Sequence, residues 1–293
     1  MNIGIDFGGS HIAIGIVDKD YNILDKKEHN WLPEEKENMP QTVEYYAKKF
    51  VKEITQENSN YKIEKIGIGF PSGDIKEGII RKYNTKIDFS KILSKFNLPV
   101  HVNNDVKCSA TCEKNLGSLK KYDNCIFMTL GTGIGGAYFY KNELVKPNTN
   151  PGMEIGHMII ETNGKVCQCG RKGCFEAYAS MNSFRKKIAE LYNIDRVTSN
   201  ILFDLMEKEE KIPQLNKIID EYIYYLSIGI GNLIRIFEPE AISIGGSFSY
   251  YQSVFIEKLK EKLKEDFKDK KIPEILIAKY ENDAGIIGAT MLE

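Results

Sequence analysis

The 293-residue sequence predicts a mixed α/β fold built of two similar halves facing a cleft. Two stretches built alike carry that prediction. NIGIDFGGSHIAIGIV at the N-terminus and NCIFMTLGTGIGGAYFY from Asn124 both run strand, glycine turn, strand. The third observation is a set of segments with apolar residues at three-to-four spacing, which makes most of the remaining chain helical.

From Asn2 to His29 small or apolar residues alternate with others, interrupted by Gly8-Gly9 and by a turn around Asp18 to Asn22, so three antiparallel strands are expected. Gln41 to Glu57 places Val43, Ala47, Phe50, Val51 and Ile54 on one helical face. Lys65 to Phe70 reads as a buried strand. In the second half, NCIFMTL forms a strand, GTGIGG turns, and AYFYKNELV returns as a strand. Helices are expected over Phe175 to Tyr192, Ile201 to Lys208, Pro213 to Phe237 and Tyr251 to Lys268. The uncharged run Tyr222 to Ile234, bounded by Glu221 and Arg235, is too short to span a bilayer and reads as a buried helix.

The formal net charge is −1, with Lys and Glu interspersed, which leaves no broad electrostatic footprint for nucleic acid or an anionic membrane. A small-molecule partner is expected instead. No Pro-rich linker or low-complexity tract appears, so any domain boundary is a packed hinge. The only early apolar run contains Asp6, which argues against a signal peptide and, with free thiols, for the cytoplasm.

The densest chemistry lies in EIGHMIIETNGKVCQCGRKGCFE, Glu154 to Glu176. Cys167, Cys169 and Cys174 fall in a Gly-rich, turn-forming stretch with His157 upstream, and four such ligands can close a tetrahedron around zinc. A disulfide is the competing reading, but C-x-C spacing makes a strained bridge. Closed coordination makes the metal structural. Cys108, Cys112 and Cys125 sit in apolar or helical surroundings and read as small hydrophobes.

Gly131, Gly133 and Gly136 fit G-x-G-x-x-G, yet a dinucleotide fold needs a helix directly after the glycines, and AYFYKNELV is β-rich. No P-loop pattern is present. Glycines in a strand-to-strand turn can still present bare backbone N–H groups to phosphate, with Ser10 or Thr132 adding a hydroxyl. A tight hairpin explains one such turn alone. Two of them, plus Gly245-Gly246 after AISI, point to a nucleotide cleft.

With those motifs in place the sequence resembles the ROK family (repressors, open reading frames and sugar kinases) along essentially its whole length, and in particular its zinc-containing sugar kinases. The ordered set is DFGGSH, NND from Asn103 to Asp105, LGTGIGG, E-x-x-H from Glu154 to His157, C-x-C-G-x-x-G-C-x-E, ISIGGS and AGIIGAT. The His plus C-x-C-G-x-x-G-C element is the specific part.

The resemblance implies an actin-like (ribonuclease H-like) two-domain ATPase fold: domain 1–106, a larger domain 107–281 with the zinc segment, and a helix 282–293 returning to the first. It implies ATP, Mg²⁺ and Zn²⁺ as cofactors, a sugar as acceptor, most simply glucose at its 6-hydroxyl, with an N-acetylated hexosamine, mannose, fructose or allose as alternatives and a non-catalytic sugar sensor as the rival of a different class, and a homodimer. By the same resemblance Asp6 stands near Mg²⁺ and the γ-phosphate, Gly8 and Gly9 turn around the phosphates, and Gly131 to Gly135 form a second phosphate loop. Gly245 and Gly246 border the adenosine. Asn104 binds sugar, Asp105 is the catalytic carboxylate, and Glu154, His157 and Glu176 hold sugar hydroxyls, so that His157 serves zinc and sugar together. Asp105 could equally cap a helix starting near Val106. His11, Asn103 and Ser72 depart from the family pattern around the phosphate turn and sugar pocket. The family's repressors carry an N-terminal helix-turn-helix; here the first strand is expected almost at Met1, which favours the kinase reading.

Overall fold

The computed structural model describes residues 1–9, 11–71, 74–76, 79–82, 85–146, 153–207, 212–268 and 270–293. Ser10 and Ser72 lie outside them. The chain divides into two compact units, one of Met1–Lys120, Leu144–Met153 and Lys279–Glu293, the other of Lys121–Glu143 and Glu154–Ala278.

The first unit is built on a five-stranded sheet. Strands β1 (Asn2–Phe7), β2 (His11–Val17) and β3 (Ile23–Asn30) form the expected antiparallel meander, and β4 (Lys65–Phe70) and β8 (Val100–Asn104) add in parallel, giving the order β3-β2-β1-β4-β8. Side chains alternate across a strand, so Ile3, Ile5, Ile66 and Ile68 share one face. There they join a buried cluster with Val43, Ala47, Phe50, Val51 and Ile54 of helix α1 (Met39–Glu57).

The opposite face is made of glycine. A Cβ on Gly4 or Gly67 would run into the carbonyl oxygens of Ile286 and Ala289, so helix α9 (Asp283–Thr290) lies directly on the sheet backbone. Helix α3 (Asp105–Asn115) packs on α9 just as closely, since a Cβ on Gly288 would collide with the Cys108 carbonyl. Gly288→Ala is therefore expected to cost about 1–3 kcal/mol of stability by forcing these helices apart, and an unchanged melting temperature would contradict that packing.

This contact also moves a boundary. The sequence predicts a first domain ending at residue 106, but α3 stays with the first unit, because its glycine-scale contact with α9 holds it there. A small antiparallel sheet of β5 (Asp74–Lys76), β6 (Ile79–Lys82) and β7 (Thr85–Asp88), followed by the short helix α2 (Phe89–Ile92), also belongs to this unit and was not expected from sequence.

The second unit repeats the plan. Strands β9 (Cys125–Leu130), β10 (Ile134–Tyr140) and β11 (Glu143–Leu144) pair in succession, and β12 (Ala241–Gly245) and β13 (Glu274–Ile277) continue in parallel, giving β11-β10-β9-β12-β13. Three meandering strands followed by two parallel ones is the order of the first sheet, so the repeat seen in the glycine motifs extends to whole sheets. The helical segments appear as α4 (Glu176–Ala179), α5 (Met181–Tyr192), α6 (Ser199–Met206), α7 (Ile212–Phe237) and α8 (Gln252–Phe267). The continuous helix expected from Phe175 to Tyr192 breaks at Ser180, whose backbone turns extended (φ −70°, ψ 150°) and whose hydroxyl accepts the Ser183 N–H at 3.1 Å as a new N-cap. Among the described residues no helix is long and apolar enough to cross a membrane.

Candidate active site

In the first unit the chemistry gathers where parallel strands end. Asp6, Gly69 and Asn103 are neighbours across β1, β4 and β8. Carboxyl ends of parallel strands are the usual place for a ligand in such sheets. Gly69 keeps the two carboxylate residues close: a methyl group there would stand 3.3 Å from the Asp105 Cα and 3.4 Å from Asp6 Oδ1.

Asp6 lies on the glycine face, against Gly285 of α9. It is buried, and its Oδ1 has no hydrogen-bond partner among the described residues. Burial first, and the charge of Asp105 second, push its pKa up to about 8, with Lys26 working the other way. The native state therefore holds a proton that the unfolded chain releases near pH 4, so stability should fall as pH rises from about 4 through 8. Asp6→Asn is expected to abolish this slope and to be the more stable protein at pH 8, by an amount on the order of a few kcal/mol. Thermal melts of both proteins across that range check it; parallel profiles would refute the buried-acid assignment.

The expected helix cap falls one residue earlier than an Asp105 cap. Asn104 is the N-cap of α3, its Oδ1 accepting the Lys107 N–H at 3.2 Å, while Asn103 Oδ1 accepts the Asn104 N–H at 2.8 Å. Asp105 is the first helical residue.

The turn after Asp6 is a tight one. The Gly8 N–H donates to the His11 carbonyl at 2.8 Å, and a Cβ on Gly8 would stand 2.9 Å from the His11 ring. One contact had no signal in the sequence: the Trp31 indole N–H donates to the Gly8 carbonyl at 3.0 Å.

In the second unit the LGTGIGG turn is shorter than its motif. Only Gly131, Thr132 and Gly133 lie between strands; Gly135 and Gly136 are inside β10, paired with Thr129 and Met128. Gly131 N–H bonds the Gly133 carbonyl at 3.0 Å. Gly133 leaves room for the Glu176 carboxylate, whose Oε2 accepts the Ile134 N–H at 2.8 Å. Glu176 thus braces the turn, a role that its motif did not announce. Gly245 ends β12 beside Thr129, and Gly246, at φ +73°, sits over the Leu130 backbone where no side chain fits. The two glycine turns of this unit therefore adjoin at the end of the same pair of strands.

The metal ligands expected from sequence converge. His157, Cys167, Cys169 and Cys174 place one ligand atom each within 4.8 Å of one another. Tetrahedral zinc with Zn–S of about 2.3 Å sets its ligand atoms about 3.8 Å apart. Cys167 Sγ lies 3.8 Å from His157 Nδ1, and Cys169 Sγ lies 3.6 Å from Cys174 Sγ. All six cysteines are free thiols, so the disulfide reading fails. The other imidazole nitrogen, Nε2, faces Glu154 Oε2 at 3.5 Å. Glu154 precedes the short turn Ile155–His157, its backbone carbonyl accepting the His157 N–H at 3.0 Å, and the turn rides on β10 because Gly156 allows contact with the Ile134 carbonyl.

One sheet order repeated in two units, with glycine turns at the strand ends, is the fold of an actin-like ATPase. Within that class the ROK family profile matches residues 2–293, and the chain belongs to the ROK family. It is 27% identical to a glucokinase of Thermotoga maritima, over 99% of this chain and 96% of that protein. Among solved structures, a ROK family glucokinase from Streptomyces griseus in complex with glucose and AMPPNP is 25% identical, with a TM-score of 0.78 over 99% of this chain and 98% of that one. A ROK hexokinase from Thermus thermophilus is 26% identical, with a TM-score of 0.75 over 99% and 96% of the two chains.

Proposed function

We propose that this protein is an ATP-dependent hexose kinase that transfers the γ-phosphoryl group to a sugar hydroxyl, with the 6-hydroxyl of glucose as the first acceptor to test. The observation that carries the reading is Asp105, an acidic residue opening α3 at the strand ends beside the buried carboxyl of Asp6. Phosphoryl transfer needs positioning and charge neutralisation more than covalent chemistry, so one well-placed carboxylate to take the hydroxyl proton suffices. Asp105 accepts that proton as the sugar oxygen bonds to the γ-phosphorus and the bond to the β-phosphate oxygen breaks, leaving ADP.

The remaining residues bind and orient. Asn104, with its carbonyl oxygen on the helix cap, presents its amide N–H groups to sugar oxygens. Glu154, Glu176 and the Nε2–H of His157 take sugar hydroxyls. Gly8, Gly9, Gly131, Thr132 and Gly133 turn about the phosphates, with Gly135 supporting the second turn from within β10, and Gly245 and Gly246 border the adenosine. The buried, unpartnered Oδ1 of Asp6 suits a divalent cation, and Mg²⁺ held there would neutralise charge on the phosphates. Zn²⁺ on His157, Cys167, Cys169 and Cys174 would be structural, fixing the segment between Glu154 and Glu176. A homodimer in the cytoplasm completes the proposal.

A coupled assay of ATP consumption across glucose, mannose, fructose, allose, N-acetylglucosamine and N-acetylmannosamine tests it. Turnover on at least one of them is expected, and which one responds fixes the acceptor. Hexose binding with no turnover on any would make the protein a sugar sensor instead.

A further inference from the structure

Trp31 is the only tryptophan in the chain, and it is almost wholly buried, at 6% exposure. A buried indole N–H needs an acceptor, and of the carbonyls in this unit it takes the one in the middle of the turn after Asp6, Gly8. The peptide bonds described are all trans. In a trans peptide the C=O and the following N–H point in opposite directions, so an indole that fixes the Gly8 carbonyl also fixes the Gly9 N–H, aimed away from the indole. The Gly8 N–H is held by the His11 carbonyl. The peptide planes on either side of Gly8 are thereby set by groups outside the Gly8–Gly9 pair.

Trp31 is itself held on several sides. Its ring meets those of His29 and Tyr46 edge-on, at centroid distances of 6.0 and 5.7 Å, and His29 stacks on Tyr46 at 4.4 Å. Glu35 ties this aromatic group together: it accepts from the Tyr46 hydroxyl at 2.5 Å and the Leu32 N–H at 2.8 Å, and its Oε2 lies 2.8 Å from His29 Nε2. Tyr46 belongs to α1, so the turn is anchored through Trp31 to the helix behind the sheet.

We propose that Trp31 is a positioning residue for nucleotide: by holding the Gly8 carbonyl it aims the Gly9 N–H at the phosphates, and its emission reports whether the turn is occupied. This rests on reading Asp6 to Gly9 as a nucleotide turn. Phosphate drawn to the Gly9 N–H polarises the same peptide group that accepts from the indole, so binding on one side strengthens the hydrogen bond on the other.

The test uses the full chain. AMPPNP with Mg²⁺ is expected to shift the tryptophan emission of the wild-type protein saturably, while the preferred hexose alone leaves it unchanged. Trp31→Phe keeps an aromatic ring in the core but leaves the Gly8 carbonyl without its donor; it is expected to raise KM for ATP about five- to thirty-fold with KM for hexose unchanged. Tyr46→Phe is the comparison, since it loosens the aromatic group without touching the indole bond, and it should leave KM for ATP within about two-fold. Equal ATP KM in wild type and Trp31→Phe would overturn the assignment, as would an equal rise in both variants or emission insensitive to saturating AMPPNP. A wild-type protein that binds no AMPPNP and phosphorylates no hexose would instead overturn the kinase reading itself.

Discussion

Asp105→Asn is expected to lower kcat by about 10²- to 10⁴-fold while hexose affinity changes little. The amide keeps the size and much of the hydrogen bonding of the carboxylate but cannot accept a proton. The fold should survive, because the cap of α3 belongs to Asn104 and not to the substituted residue. Two small effects on stability oppose one another. Losing a carboxylate from the first turn costs about 0.3–1 kcal/mol, whereas Asp6 loses the neighbouring charge that helps to raise its pKa. A variant with near wild-type kcat would remove Asp105 from the mechanism. One that fails to bind hexose would make it a binding residue first.

Disrupting the proposed zinc site should have the second large effect. Between Met158 and Cys174 the chain has little regular pairing beyond isolated bridges of Ile159 with Cys174 and Val166 with Lys172. Turn and cross-segment hydrogen bonds, such as Cys167 N–H to the Arg171 carbonyl and Gly173 N–H to the Lys165 carbonyl, hold it in place of a helix or sheet, and a structural zinc would add to them, since it contributes about 10–16 kcal/mol of apparent binding free energy in small zinc-folded peptides. Cys169→Ala is expected to lose the metal and to weaken hexose binding at least ten-fold, since Glu154 and Glu176 flank the segment. It should also raise KM for ATP, because Glu176 holds the Ile134 N–H beside the Gly131–Gly133 turn. Elemental analysis with calorimetry decides the matter. Full zinc content in Cys169→Ala, or full hexose affinity in metal-free protein, would refute it.

The extent to which the sequence disclosed all this follows from the range of each interaction. Strand alternation and helical spacing are local, and they placed β1 to β4, β9, β10, α1 and α7 within a few residues. The convergence of His157 with Cys167, Cys169 and Cys174 was legible because all four sit in one short segment. The break at Ser180 was missed because apolar spacing runs on unbroken through Ser180, while a serine N-cap interrupts the backbone. The sheet of β5 to β7 was missed because its strands are three or four residues long, too short for periodicity to register. Trp31, Gly69 and Gly285 gave no functional signal at all. Their roles depend on backbone brought close by the fold, which no window of sequence contains.

The glycine face of β1 and β4 has a consequence for how the protein is made. Its cover, α9, is drawn from Lys279–Glu293, whereas the strands it covers belong to Met1–Lys120. On a ribosome adding about 5–20 residues per second, the whole second unit must be synthesised before α9 emerges, a wait on the order of ten seconds or more. During that time Gly4, Gly67 and the carboxyl of Asp6 lack the cover of α9. The second unit, uninterrupted apart from Leu144–Met153, can close in the interval, so the later half of the sequence is expected to fold first and the N-terminal sheet last. Released chains truncated before Lys279 should accordingly resist protease across Glu154–Ala278 while Met1–Lys120 is still cut.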